Sequence, residues 1–339
     1  MDKFSVLKTR LNAAFGIISL FTAVSVLIRA VVDIVKSISS LIIKEFSLAS
    51  VSETFDFYVS FILPQFLLPL LTVAVAFLIP IFGSYKIKPC IKSEKVPAVY
   101  FILCIGIFPG LTIGATIVSY LISEILVSVG IPVLNIASVV PETETPLQIF
   151  WLILVMAVLP AICEEIIYRG FLLRGIAEFG KNAAMLVSSF AFGLMHANLQ
   201  QIPFAFLIGL FLSYITLRFK SIVLSVILHF INNFIACSVL ILSNYLDSEL
   251  VDTIDAYLSL SFIVISILCT IVFIVLTKRE KARAGIKDIS QSEAPETSTQ
   301  ILACGKKVNF LQAVIHSWGF WLFTAVYSFS TIVNVLYTA

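Results

Sequence analysis

The stretch AICEEIIYRG, residues 161–170, places Glu164, Glu165 and Arg169 inside an apolar run that begins near Phe150. Of the 339 residues, 60% are apolar and only 12% are charged. This composition is typical of a chain that crosses a membrane several times. The predicted fold class is therefore an all-α, polytopic transmembrane helix bundle. The net charge of +2 gives no indication of a nucleic-acid partner.

Nine apolar runs are long enough to cross the roughly 30 Å hydrocarbon layer as helices. They cover residues 12–36, 57–83, 97–128, 148–174, 182–198, 202–218, 221–244, 257–277 and 309–336. The first run lacks a cleavage site of small residues and is longer than the core of a signal peptide, so we interpret it as a retained helix.

The basic residues predict the orientation of these helices. They precede the first run and follow the second, fourth, sixth and eighth runs, so all of them are cytoplasmic if the amino terminus is inside. The residues are Lys3, Lys8, Arg10, Lys86, Lys88, Lys92, Lys95, Arg174, Lys181, Arg218, Lys220, Lys278, Arg279, Lys281 and Arg283. We expect a multi-pass protein of the plasma (inner) membrane. Nine crossings place Ala339 outside.

The helix pattern divides the chain into five predicted regions. They are the N-terminal helices (1–147), a helical core with the candidate site (148–244), an eighth membrane helix (245–277), a flexible cytoplasmic linker (278–307) and a C-terminal membrane helix (308–339). All six cysteines fall in helices or on the predicted cytoplasmic side, which argues against a disulfide framework.

Polar residues at mid-membrane depth indicate the functional site, because a charged side chain there is costly. Glu164 lies ten residues before Arg174, which corresponds to about 15 Å along a helix. His196 and His229, counted in the same way from the nearest cytoplasmic lysine, lie roughly 22 and 14 Å deep. Three neighbouring runs therefore bring one carboxylate and two imidazoles to a similar level.

Spacing within each run suggests which side chains act together. Glu165 and Arg169 are four residues apart, so they share a helix face and can form an ion pair. Glu164 is rotated by about 100° from Glu165 and faces a different space. His229 and Asn233 also share a face, with Asn232 as a weaker alternative to Asn233.

These groups are suited to hydrolysis of a peptide bond. A glutamate can take a proton from water, and a histidine or asparagine can stabilise the oxyanion. Alternatively, a zinc ion held by Glu164, His196 and His229 could activate the water. The spacing of the residues does not separate the two mechanisms.

Three motifs resemble one known family. EEIIYR (164–169), FGLMH (192–196) and HFINN (229–233) are similar to the EExxxR, FxxxH and HxxxN motifs of the CPBP family, which includes CAAX proteases and bacteriocin-processing enzymes. The resemblance implies an intramembrane protease, described for the family as a metalloprotease, in which Glu164 activates water beside His196. It further implies that His229 and Asn233 support the oxyanion or a metal, and that Glu165 and Arg169 have supporting roles.

The resemblance also implies the partners, which are membrane lipid and a peptide or protein substrate, either prenylated or a bacteriocin-like precursor. Two other classes of function are alternatives. One is a non-catalytic membrane scaffold or bacteriocin-immunity protein. The other is a proton-coupled transporter, which would predict paired broken helices in two halves of the chain. The sequence has no such internal repeat.

Overall fold

The computed structural model describes residues 2–45, 54–134, 140–283, 299–301 and 307–338. These residues are mostly helical, which confirms the all-α membrane bundle. The helices are α1 (Lys3–Glu45), α2 (Asp56–Ile62, Leu63–Ala76 and Leu78–Phe82), α3 (Ile87–Ile91), α4 (Ala98–Ser128), α5 (Pro146–Ile153, Leu154–Val158, Leu159–Glu165, Ile166–Leu173, Arg174–Ile176 and Ala177–Phe179), α6 (Lys181–Leu194), α7 (Gln201–Phe219), α8 (Ile222–Ser243), α9 (Ser248–Arg283), α10 (Phe310–Ile315) and α11 (Trp318–Thr338).

One short antiparallel pair of strands interrupts the helical pattern. β1 (Thr299–Ile301) pairs with β2 (Lys307–Asn309), with Thr299 opposite Asn309. β1 lies within the predicted linker, and β2 begins at the last residue of that linker. Its other parts, residues 284–298 and 302–306, lie outside the described residues, and helix α9 extends into its beginning as far as Arg283.

Eight helices in the described part of the chain are long and apolar enough to cross a membrane, one fewer than the nine predicted. The difference is the fifth run, 182–198, where α6 ends at Leu194 after 14 residues, or about 21 Å. The chain then turns, because the Asn198 side chain accepts hydrogen bonds from the backbone N–H groups of Gln200 and Gln201 and so starts α7. Helices α6 and α7 form an antiparallel hairpin.

The helices pack around two large apolar cores and a small third one, which joins α2 to α5. The first joins α1, α5, α6 and α11, and includes the contact between the Phe15 and Phe323 rings at 5.1 Å between centroids. The second joins α4, α7, α8 and α9. Helix α7 contributes Ala205 to the first core and Leu212 to the second, so it holds the two halves of the bundle together.

Helices α4 and α9 approach closely at a serine. The Ser266 hydroxyl donates to the Gly106 carbonyl (2.7 Å) and accepts from the Gly110 N–H (2.8 Å). In a regular α-helix, the Gly110 N–H would donate to the Gly106 carbonyl. Pro109 lies within this helical turn. Because a proline disturbs the helix at this point, the inserted hydroxyl supplies the missing hydrogen bonds. Gly110 leaves the room for Ser266, and Gly106 leaves the room for the side chain of Cys269.

The loops that carry basic residues meet on one face of the bundle. Arg10 Nη1 donates to the Gly175 carbonyl (2.7 Å), and Arg174 Nη1 donates to the Cys90 carbonyl (3.1 Å). The backbone N–H of Glu94 donates to the Lys220 carbonyl (3.0 Å). The predicted grouping of these segments on one side is therefore present. That this side is cytoplasmic stays a prediction.

Other loops meet on the opposite face. The Tyr245 hydroxyl donates to the Thr143 carbonyl (2.6 Å), and the Asn198 amide donates to the Leu134 carbonyl (3.1 Å). Asn334, near the end of α11, donates to the Ala197 carbonyl (2.7 Å). Helix α11 thus begins near the basic face and ends at the other, in the direction predicted for the last helix.

Candidate active site

Helix α5, which carries the two adjacent glutamates, is irregular on both sides of them. Wide π-helical turns occupy Leu154–Val158 and Ile166–Leu173, and Leu159–Glu165 between them is α-helical. Pro160 lacks a backbone N–H, which favours a break in regular hydrogen bonding just before this segment. Wide turns of this kind are frequent at functional sites, because they change the direction of the side chains that follow.

Glu165 and Arg169 form the ion pair that their spacing predicts. Glu165 Oε1 lies 2.9 Å from Arg169 Nη1, and both side chains are 0% exposed. A buried ion pair contributes little net stability, but the loss of one partner leaves an uncompensated charge in the protein interior. The pair therefore fixes the local structure of α5 around the glutamates.

The imidazole of His229, on α8, lies between the two glutamates. Its Nδ1 atom is 3.1 Å from Glu165 Oε1, and its Nε2 atom is 3.8 Å from Glu164 Oε2. A carboxylate paired with an arginine can only accept hydrogen bonds, so Nδ1 is the donor in the contact with Glu165. That contact fixes the ring orientation and presents Nε2 to Glu164.

The ring of Phe192 connects the two histidines. It contacts His196 and His229 edge-on, with centroids 5.2 and 5.6 Å away. His196 lies in the turn after α6 and not within a helix as predicted, and its Nδ1 donates to the Phe192 carbonyl at 2.9 Å. Because a carbonyl can only accept, the other nitrogen of neutral His196, Nε2, is an acceptor.

Asn233 is half-buried and lies one turn after His229 on α8. Its Oδ1 accepts a hydrogen bond of 3.0 Å from Nδ2 of Asn232. The Nδ2 group of Asn233 is then the donor that this side chain can offer to a substrate. Asn232, the weaker alternative in the sequence, supports Asn233 through this contact.

Three further residues in the bundle around the site were missed by the sequence analysis. Tyr168 follows Glu164 by four residues, a spacing that could have indicated it. Its ring lies in the same buried cluster as that of Tyr327 of α11. The Tyr327 hydroxyl lies 2.5 Å from that of Thr22 on α1. No sequence signal links α1 or α11 to the site.

The arrangement does not form a ready-made zinc site. A zinc site needs three protein ligands, each about 2 Å from the ion. Within the described residues, no three histidine, cysteine, aspartate or glutamate side chains are grouped to hold one metal ion. The contact of His229 Nδ1 with Glu165 leaves Nε2 as the nitrogen that could bind a metal. Zinc binding by Glu164, His196 and His229 stays a prediction.

Comparison with known proteins identifies one similar family. Residues 146–235 match the family described as type II CAAX prenyl endopeptidase Rce1-like. The match covers α5, α6, α7 and most of α8, and confirms the resemblance predicted from the three motifs. It includes Glu164, Glu165, Arg169, His196, His229 and Asn233. No curated protein and no solved structure matches the chain.

Proposed function

We propose that this membrane protein is an endopeptidase that uses water activated by Glu164, because residues 146–235 match the family described as type II CAAX prenyl endopeptidase Rce1-like. Its substrate is a membrane-associated protein or peptide. The observation that carries this proposal is the position of His229 between Glu164 and Glu165. Residues outside 146–235 are assigned no catalytic role by the family match.

The polar atoms of Glu164 and His229 suit a bridging water molecule that lies beside them. In the tautomer of His229 that donates from Nδ1 to Glu165, Nε2 is an acceptor, and Glu164 Oε2 is also an acceptor. The two atoms are 3.8 Å apart, too far for a direct hydrogen bond. Among the described side chains, Glu164 Oε2 has no hydrogen-bond partner. One water can donate a hydrogen to each acceptor and keep its lone pairs for attack.

The proposed reaction has two steps. Water transfers a proton to Glu164 while its oxygen bonds to the carbonyl carbon of the scissile peptide. The electron pair of the carbonyl moves to its oxygen, which accepts a hydrogen bond from Nδ2 of Asn233. Glu164 then returns the proton to the amide nitrogen as the carbon–nitrogen bond breaks.

The family description suggests a prenylated substrate. The probe for the test is therefore a farnesylated peptide that ends in Cys-aliphatic-aliphatic-X, with a fluorophore and a quencher on either side of the expected cut. The same peptide without the farnesyl group tests whether the lipid is required. Purified protein in liposomes keeps the bundle in a bilayer during the assay.

The decisive variant is Glu164→Gln, which keeps the size of the side chain and removes the base. We expect cleavage to fall by at least about 100-fold, the usual effect of losing a general base. Glu124→Gln, a change of the same type at an exposed position on α4, is the matched control. Undiminished cleavage by Glu164→Gln would overturn the proposal. Chelator followed by zinc, added to the wild type, separates metal-assisted cleavage from cleavage by protein groups alone.

A further inference from the structure

The turn between α6 and α7 carries His196, and the residue after it has an unusual backbone conformation. Ala197 has a φ angle of +50°. Residues other than glycine rarely adopt this left-handed region, because their Cβ atom crowds the following carbonyl oxygen. Asparagine and aspartate offset the cost with a short polar side chain, which alanine lacks. The surrounding structure must therefore hold Ala197 in this conformation.

Helix α11 supplies a contact that does so. The Nδ2 group of Asn334 donates a hydrogen bond of 2.7 Å to the Ala197 carbonyl. Because Ala197 is 7% exposed, its carbonyl would be left without good access to solvent if this donor were removed. The bond joins two residues that are 137 positions apart, and one of them is the immediate neighbour of His196.

Both ends of this turn are fixed by other contacts. On one side, α6 continues as a regular helix to Leu194. On the other side, the buried Asn198 side chain donates to the Leu134 carbonyl (3.1 Å) and accepts from the Gln200 N–H (2.8 Å). A change of φ at Ala197 must therefore be compensated within the short segment between these two anchors, which contains His196.

The position of His196 is coupled to the rest of the site through Phe192. The Phe192 ring contacts the rings of His196 and His229, with centroids 5.2 and 5.6 Å away. The Phe192 carbonyl also accepts a hydrogen bond of 2.9 Å from His196 Nδ1. A movement of the turn would break these contacts. The imidazole of His196 would then leave the group that includes His229 and Glu164.

We propose that Asn334 is a positioning residue for the endopeptidase reaction. Its hydrogen bond holds Ala197 in the left-handed conformation, and this conformation sets the position of the His196 ring. The inference rests on the proposed function and on the predicted place of His196 beside Glu164. It gives α11, which lies outside the family match, a defined role at the site.

The variant Asn334→Leu tests this role, because it removes the donor and keeps a side chain of similar size. We expect kcat for the farnesylated probe to fall about tenfold, the upper end of the effect of one hydrogen bond. Thr331→Val is the matched control. Thr331 borders the same small recess as Asn334, but its hydroxyl donates to the Tyr327 carbonyl within its own helix. The control should keep the kcat of the wild type, and an equally unchanged kcat for Asn334→Leu would overturn the proposal.

Glycine at position 197 separates positioning from a role in packing. Glycine adopts a positive φ angle without steric cost, so the conformation of the turn depends less on Asn334. Ala197→Gly should keep a kcat close to that of the wild type. Adding Asn334→Leu to it should then reduce kcat only about twofold, the lower end of the effect of one hydrogen bond. If Asn334 only stabilised the packing of α11, the loss of kcat would be equal with alanine and with glycine, and the proposal would be wrong.

Magnetic resonance of the histidine rings gives a measurement that does not need turnover. The chain has three histidines, so protein labelled with ¹⁵N-histidine gives few ring signals, and His196→Gln identifies those of His196. We expect Asn334→Leu to shift the His196 signals. The signals of His316, whose ring lies beside that of Phe4, should stay in place. In a background with Ala197→Gly, the same substitution should shift the His196 signals much less.

The two measurements distinguish a failure of this inference from a failure of the proposed function. Unshifted His196 signals in Asn334→Leu would overturn the inference even if cleavage depends on Glu164. Shifted signals together with a fully active Glu164→Gln would leave the positioning of His196 by Asn334 in place and reject only the proposed function.

Discussion

The guanidinium carbon of Arg169 lies 4.1 Å from the centroid of the Phe192 ring. The same ring contacts His196 and His229 at its edges. One aromatic side chain therefore joins the arginine of EEIIYR to the histidines of the two other motifs. Its face suits a cation and its ring suits T-shaped contacts with the imidazoles, so an aliphatic residue of similar size cannot replace it fully.

Replacement of Phe192 by alanine should destabilise the bundle and misplace both histidines. Phe192 is 2% exposed, and the loss of a buried phenylalanine typically costs about 3–5 kcal/mol in the free energy of unfolding. Thermal unfolding in detergent measures this cost. Phe190→Ala, on the same helix at a position 40% exposed, should have a much smaller effect. Similar unfolding temperatures for the two variants would contradict the central position of Phe192.

Substitution of one member of the Glu165–Arg169 pair should be worse than substitution of both. Glu165→Gln leaves the Arg169 charge buried without its carboxylate, at an expected cost of about 3–5 kcal/mol in stability. Glu165→Leu combined with Arg169→Met removes both charges and should recover much of that stability. Cleavage should stay low, because His229 has lost the acceptor for Nδ1. A double variant with wild-type cleavage would show that this hydrogen bond is dispensable.

The contact of α4 with α9 can be tested with two glycines on the same helix. A Cβ atom at Gly110 would lie 2.4 Å from the Ser266 side chain, whereas one at Gly114 would have no neighbour within 4 Å. We expect Gly110→Ala to destabilise the protein by about 1–3 kcal/mol through overpacking. Gly114→Ala should be neutral or stabilising by up to about 1 kcal/mol. Unfolding in detergent measures the stability of both variants. If Gly114→Ala were less stable than Gly110→Ala, the close approach of α4 and α9 at Gly110 would be refuted.

The orientation of the bundle can be tested with single cysteines in a background that lacks the six native ones. Lys95 lies on the basic face and Glu142 in a loop on the opposite face, and both side chains are exposed. If the basic face is cytoplasmic, a membrane-impermeant maleimide added to intact cells should label Glu142→Cys and spare Lys95→Cys. If only Lys95→Cys were labelled, the predicted orientation would be wrong and the basic face would lie outside.

The sequence predicts the helices well because long apolar runs leave the backbone few alternatives in a bilayer. It overestimates the fifth run, since apolar residues continue past Leu194 although the chain turns before Asn198. Within the site, the Glu165–Arg169 pair follows from spacing on one helix. The contact between Glu165 and His229 does not, because it depends on how α5 and α8 are rotated against each other. Periodicity in a single helix carries no information about that rotation.

The same limit explains why Tyr327 and Thr22 were missed. They lie 305 residues apart and meet only when the last helix packs against the first. Neither has a charge that would mark it as unusual in a membrane helix. Only the folded bundle brings them into contact.

The packing of α11 against α1 also affects the order in which the helices of the bundle assemble. When residues 1–300 have been synthesised, both glutamates and both histidines of the proposed site are present, but not Tyr327 or the helix that covers Phe15. Part of the apolar face of α1 therefore stays in contact with lipid until α11 enters the membrane.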